Sequence, residues 1–560
     1  MAYYDVDVYS RKVTTTSPEA QLWFDRGLVW CFAYFHDEAI DCFRKAVAAD
    51  PGCAMAHWGV AYATGPNYNL PWELRDEQMR RDSLAQAYDA TQAALGLVGS
   101  VSAAERALIE ALPARFPRRE PAEIEVMRGW NDAFTEAMRA VHERFPDDLD
   151  VRAVFAEAIM NRTPWRMWDQ ATGKPAENAG TLEAAAVLEA ALDNDPRAMR
   201  HPGLLHLYVH LMEMSPFPEK ALKAGDVLRE LVPDAGHLIH MPTHIDIQCG
   251  YYGDVFHWNW RATKVDRKAL DRRGVFTIYT GYRIHNYHFA AYGAMFLGRF
   301  EPAWAAAREL VEVTPEDLLR VPSPPFADFF ESYLAIWVHV LIRFGRWRQI
   351  IEEKLPEDQG LYANLTATLH YAKGVAHAAL GEVDRAEAEQ ALFLAARDRM
   401  PENRRMHNVT CLEQLAVAEA MLEGEIEYRK GNHDRAFARL RDAVALEDAL
   451  PYDEPWGWMQ PTRHALGALL LEQGRVSEAE AVYREDLGLG GTLSRAQVHP
   501  DNVWSLRGLN DCLVARGAGE SLEGRLIRQR LALAEARADR SVGVSCFCAR
   551  AATHELSRTA

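Results

Sequence analysis

The sequence predicts an all-α fold, a superhelix of stacked helix-turn-helix hairpins (an α-solenoid). Three observations carry this reading. In a recurring pattern one helix ends at Gly, a short turn follows, and a second helix places Ala five residues after that Gly. Its clearest copies are GRFEPAWAAARELVEVTP from Gly298, GEVDRAEAEQALFLAARD from Gly381, GNHDRAFARLRDAVALED from Gly431 and GRVSEAEAVYRED from Gly474. Small residues recur where the two helices of a hairpin must approach closely, and Pro closes several second helices. Strand signals are almost absent from the 560 residues.

Taken in order, residues 1–17 form an N-terminal extension. Residues 18–200 hold irregular helical repeats. YFHDEAIDCFRKAVAADP and AHWGVAYA belong to the hairpin pattern, the latter through Trp58-Gly59 and Ala61-Tyr62. Less typical segments follow: GPNYNLPWELRDEQ (65–78), ERALIEALPARFPRREP (105–121) and NRTPWRMWDQATGKPAENAGT (161–181). The last reads as a long loop with Trp165 and Trp168 as aromatic anchors, and Asn67 and Asn69 read as turn residues. Residues 201–345 are a histidine-rich core with irregular copies from Ser215 and Gly250, and 346–535 carry the regular C-terminal repeats. Residues 536–560 are expected to be a flexible tail, since SVGVSCFCARAATHELSRTA has no amphipathic period.

Composition narrows the functional classes. Hydrophobic residues make up 49% and charged residues 25%, ordinary values for a globular protein. The 62 basic residues against 80 acidic ones give a formal net charge of −18, which argues against a nucleic-acid or anionic-membrane partner. No apolar run reaches about 18 residues, and the N-terminus lacks the apolar core of a signal peptide. The eight cysteines show no CxxC pair and no disulfide framework, so a reducing cytoplasm is expected. There is no P-loop, no dinucleotide GxGxxG and no G-x-S-x-G elbow, so nucleotide-dependent chemistry is not expected.

A repeating helical hairpin of about 34 residues is the tetratricopeptide pattern. On the hairpin copies just quoted, the chain resembles a tetratricopeptide-repeat (TPR) protein over residues 18 to 535. Spacing departs from the ideal, since the turn glycines Gly250, Gly298 and Gly345 stand 48 and 47 residues apart. The strings HPGxxHxYxHxxE and HLxHMPxHI (residues 201–213 and 237–245) are similar to stretches in a bacterial TPR subgroup, from which no activity carries over. The resemblance implies that first helices of successive hairpins lie side by side and line a concave groove.

Nine of the twenty histidines fall between His201 and His288. His206, His210 and Glu213 follow i, i+4, i+7 spacing, and His237, His240 and His244 follow i, i+3, i+7. Each set lies on one helical face. Counted back from the turn glycine, offsets of 13, 10 and 6 give His237, His240 and His244 from Gly250, and His285, His288 and Tyr292 from Gly298. The offset of 6 from Gly345 gives His339. With Pro216 in the Gly place, offsets of 10, 6 and 3 give His206, His210 and Glu213. Within the implied groove these residues share one inner surface. Six histidines with one carboxylate suit a transition metal such as Fe, Zn or Cu rather than Ca or Mg. The HExxH pattern is absent, because Leu207 follows His206.

Each of these residues also has a plainer reading. A histidine on a helix face is commonly a satisfied polar group, and Pro242 must kink or start a helix between His240 and His244. His201 reads as a helix-start residue, His257 falls on a second helix, and Glu157 and Asn161 read as ordinary helix surface. Two functions therefore stand at this point. One is a transition-metal-dependent enzyme, hydrolytic or oxidative. Its metal ligands would be His206, His210, Glu213, His237, His240 and His244. Glu213 would also be a general base, with His285 and His288 as acid/base groups, and a small-molecule or peptide substrate would lie in the groove. The other is a non-catalytic TPR module that grips a protein or peptide partner.

Overall fold

The computed structural model describes residues 3–539 and 542–549, and they form two compact units. The first comprises Met1–Ile245 and Arg261–Gly274, and the second Asp246–Trp260 and Val275–Ala560. Both are built from antiparallel helix pairs. The described residues hold one two-stranded pairing, Arg405–Met406 with Val409–Thr410. No described helix is long and apolar enough to cross a membrane.

In the first unit the pairs are Pro18–Phe32 with His36–Ala49, Ala54–Thr64 with Glu77–Leu95, Ala103–Arg115 with Ile124–Arg144, Leu149–Met160 with Thr181–Asn194, and Pro202–Met212 with Leu222–Leu231. Small residues permit the close approach that the sequence pattern requires. A Cβ built on Gly59 would lie 2.4 Å from the Phe43 ring, and one on Gly27 2.7 Å from it. Helix starts are fixed by side chains: Ser17 accepts from the Ala20 N–H, and Ser102 and Glu105 form a reciprocal capping box. The N-terminal extension is ordered against this scaffold. Val6 and Val13 are buried, and Arg11 pairs with Asp148 and Asp150 at 2.7 Å each.

The second unit shows the hairpin register most clearly. Gly298, Gly345, Gly381, Gly431, Gly474 and Gly517 all take positive φ, between 62° and 82°. Each closes its helix with a six-to-one bond, as where the Arg299 N–H donates to the Ala294 carbonyl at 2.9 Å. The alanines expected five residues on, Ala303, Ala386, Ala436 and Ala479, are all fully buried. The expected flexible tail is corrected in part. Val542, Cys548 and Ala549 are buried, and the Cys546 and Cys548 sulfurs lie side by side. The rest of that tail from Arg550 onward lies outside the described residues.

Candidate metal centre

The first unit gathers five of the predicted histidines and Glu213 in its interior. The Pro202–Met212 helix begins where the sequence indicates, with Pro202 in its first turn and His201 as its cap, accepting from the Leu204 N–H at 3.1 Å. The i, i+4 spacing then puts His206 and His210 on one face, and Glu213 follows as the helix closes. His237 and His240 sit on a short helix, Gly236–His240. That helix stops before Pro242, whose missing N–H cannot continue it, and a new one runs Thr243–Gln248. The single continuous stripe expected through His237, His240 and His244 is therefore broken in two.

The imidazoles nonetheless meet. Nε2 of His206 lies 3.1 Å from Nε2 of His237, and Nε2 of His240 lies 2.7 Å from Nε2 of His244. His206, His210 and His237 each offer a nitrogen within 4.8 Å of the other two, a group able to hold a metal ion. Exposure is 1% at His206 and His237, 2% at His244, and nil at His210, His240 and Glu213. All six side chains are therefore buried.

Three of these rings have a fixed orientation. Nδ1 of His206 lies 2.6 Å from the Phe32 carbonyl, which can only accept, so Nδ1 carries the proton and Nε2 presents its lone pair. Glu213 does the same for two rings at once: Oε1 accepts from Nδ1 of His210 at 3.1 Å and Oε2 from Nδ1 of His244 at 2.5 Å. The sequence pattern casts Glu213 as ligand or general base. Both its oxygens face imidazole N–H groups, the place of a carboxylate that orients ligands, and Glu213 and His244 also fall together in a group able to hold a metal ion. Burial first, then the neighbouring His210, holds His206 well below the ordinary imidazole range, so it is neutral and ligand-ready.

Two tyrosines that sequence reasoning missed complete the surroundings. The Tyr34 ring stacks over His210 and His237 at 5.9 and 5.8 Å and tilts against His206 at 4.6 Å. Tyr68 lies 4.6 Å from the His210 ring and accepts from the Trp165 N–H at 2.9 Å. A signal for Tyr34 exists in the sequence. It stands five residues before the buried Ala39, the place that Gly occupies in other hairpins, and it adopts φ +52° with the same six-to-one closure, Phe35 N–H to the Trp30 carbonyl. A non-Gly residue in this region is strained by about 1–2 kcal/mol.

The supporting loops behave as the sequence indicates. Trp168 Nε1 donates to the Leu211 carbonyl at 2.7 Å, anchoring the 161–181 loop on the histidine helix. Asn67 turns the GPNYN segment, its side-chain oxygen accepting from the Asn69 N–H at 3.0 Å. Glu157, expected on a helix surface, is instead buried and accepts from the Tyr62 hydroxyl. Burial raises its carboxyl above the ordinary range, against the opposing charge of Arg115. Asn161 is likewise buried.

His285 and His288 belong to the second unit. His288 is buried with Nε2 3.0 Å from the Met459 sulfur, and burial with the charges of His407 and His339 lowers it to about 3. It is neutral near pH 7. His285 stands 5.7 Å, ring to ring, from His407, whose Nδ1 donates to Asp453 at 2.5 Å. His339 is buried beside Gln460.

No family model matches the chain, and no curated protein matches it. Among solved structures it is similar to an IFIT1 monomeric mutant with m7Gppp-AAAA, at 12% identity and a TM-score of 0.35, over 87% of this chain and 90% of that one. It is similar to yeast Tom70 at 13% identity and a TM-score of 0.31, over 92% and 99% of the two chains. Naa15/Naa10 bound to HypK-THB follows at 12% identity and 0.22, over 92% and 74%.

Proposed function

We propose that the first unit is a transition-metal centre and that the chain is a metal-dependent enzyme, hydrolytic or oxidative. His206, His210 and His237 hold the ion, and His240 and His244 present a second nitrogen pair. The observation that carries the reading is the 3.1 Å approach of His206 Nε2 to His237 Nε2, with the His206 proton already committed to the Phe32 carbonyl. Two nitrogens bound to one zinc at about 2.0–2.1 Å stand about 3.3 Å apart in a tetrahedron, close to this spacing. Neutral imidazoles suit Zn, Fe or Cu. When bound, the ion supplies Lewis-acid or redox chemistry. Glu213 orients His210 and His244 through their Nδ1 protons, and Tyr34 and Tyr68 pack against the imidazole cluster. The substrate is a small molecule or a peptide-like group.

The test is elemental analysis of purified protein beside a His206→Ala/His240→Ala double variant, with circular dichroism on both. One or two equivalents of a transition metal in the parent, lost in a variant of equal helicity, uphold the reading. Two metal-free proteins, equally folded after reconstitution with Zn, Fe and Cu, overturn it. The chain would then be read as a non-catalytic repeat module for protein or peptide partners.

A further inference from the structure

The second unit holds a segment in a manner that the metal reading does not use. Residues 542–549 have no regular secondary structure, yet three arginines from three helices read their main chain. Arg507 Nε, on Val503–Ala515, donates to the Val542 carbonyl at 2.7 Å. Arg343 Nη2, on Ile336–Arg343, donates to the Ser545 carbonyl at 2.5 Å. Arg429 Nη2, on Cys411–Arg429, donates to the Cys548 carbonyl. The three carbonyls are spaced three residues apart.

Side chains add small, close contacts. Val542 rests over Gly298, and the Ser545 hydroxyl lies 2.5 Å from the Tyr483 hydroxyl and 3.1 Å from the His464 carbonyl. A guanidinium that donates to a main-chain carbonyl is indifferent to the residue carrying it. The arrangement is that of a bound peptide.

The segment also satisfies its groove incompletely. A cavity remains beside it, lined by Trp347, Tyr371, Trp458 and Glu425 and, from the segment, Cys546 and Cys548. Arg343 Nε, Arg429 Nε and Nη1, Glu425 Oε2 and Trp347 Nε1 are buried there without a hydrogen-bond partner. Protein interiors pair nearly all such atoms. Five of them on three helices mark a surface with more donors and acceptors than its own segment engages.

We propose that this groove is a binding site for a peptide segment, that residues 542–549, bent at 544–545 and turning over 546–549, are its built-in occupant, and that a free copy of the same segment displaces them. The site reads main-chain carbonyls at every third residue and holds Gly543, Val544, Cys546 and Phe547 between them, Phe547 against the Trp504 ring.

The test inserts a site-specific protease sequence after Arg540, so that the occupant can be cut from its tether in an otherwise intact chain. The probe is a fluorescein-labelled peptide of residues 541–552, followed by anisotropy under reducing conditions. The cut chain is expected to exchange its fragment and bind the probe at least tenfold more tightly than the uncut chain, in which the tethered segment competes at roughly millimolar effective concentration. An Arg343→Gln/Arg507→Gln variant of the cut chain is expected to bind about tenfold more weakly at equal helicity. The proposal is overturned if the cut chain never takes up the probe, if the arginine variant binds as well as its parent, or if losing the fragment abolishes cooperative unfolding. In that last case the segment is part of the core.

Discussion

Glu213 accepts from Nδ1 of His244 at 2.5 Å with one oxygen and from Nδ1 of His210 at 3.1 Å with the other. One buried carboxylate thus sets the tautomer of two imidazoles that come from different helices. Glu213→Gln leaves only one oxygen to accept, so one ring loses its anchor and faces an amide N–H. Outer carboxylates of this kind change metal affinity by about 10–100-fold. The expected result is that loss in a competition titration with a chromogenic chelator, at unchanged helicity. Equal affinity would show that Glu213 is not an orienting group.

Tyr34 covers the same cluster from outside. Tyr34→Leu removes the ring that stacks on His210 and His237 while leaving every imidazole in place. Metal loss to excess EDTA is expected to quicken about tenfold, because a buried ion exchanges only when its cover opens. Tyr34→Phe keeps the stack and removes only the hydroxyl, so its rate is expected to match the parent.

Much of this was legible in the sequence, and the reason is periodicity. The turn glycines and the alanines five residues after them repeat, and each repeat reports the same backbone geometry, as Gly298 with Ala303 and Gly431 with Ala436 do. The pairing of His206 with His210 follows from i, i+4 spacing alone. Tyr34 was legible only as the residue in a hairpin's Gly place, and its meeting with Tyr68 at His210 was not, because the two arrive from hairpins far away in sequence and only tertiary packing brings them there. The ordering of 542–549 was illegible for a different reason. It rests on main-chain carbonyls, which every residue has, so no side-chain pattern announces it. Burial of Glu157 escaped because its partners, Tyr62 and Arg115, lie on other hairpins.

The two roles of glycine separate experimentally. Gly431 has φ +82° and open space where a Cβ would stand, so Gly431→Ala tests the backbone alone and is expected to destabilise by about 1 kcal/mol. Gly59 tests packing, because its Cβ would meet the Phe43 ring at 2.4 Å. Gly59→Ala is expected to destabilise by about 1–3 kcal/mol. Thermal unfolding midpoints of the two variants should fall in that order.

Asp150 links the N-terminal extension to the histidine helix and gives stability a defined acid dependence. Burial raises its carboxyl, but the hydrogen bond from His201 and the charge of Arg11 prevail, and it is lowered from 3.8 to about 2. A depressed carboxylate contributes stability that is fully present above its unfolded pKa and is lost as pH falls through the folded one. The window here is therefore between about pH 4 and pH 2, and the contribution is about 2 kcal/mol. Asp150→Asn is expected to lower the unfolding midpoint at pH 7 and to flatten its acid dependence across that window. The N-terminal extension is expected to become sensitive to limited proteolysis in the same variant, because Arg11 loses one of its two carboxylate partners. An unchanged acid limb would place the stabilising charge elsewhere, on Asp148, the other carboxylate that Arg11 meets.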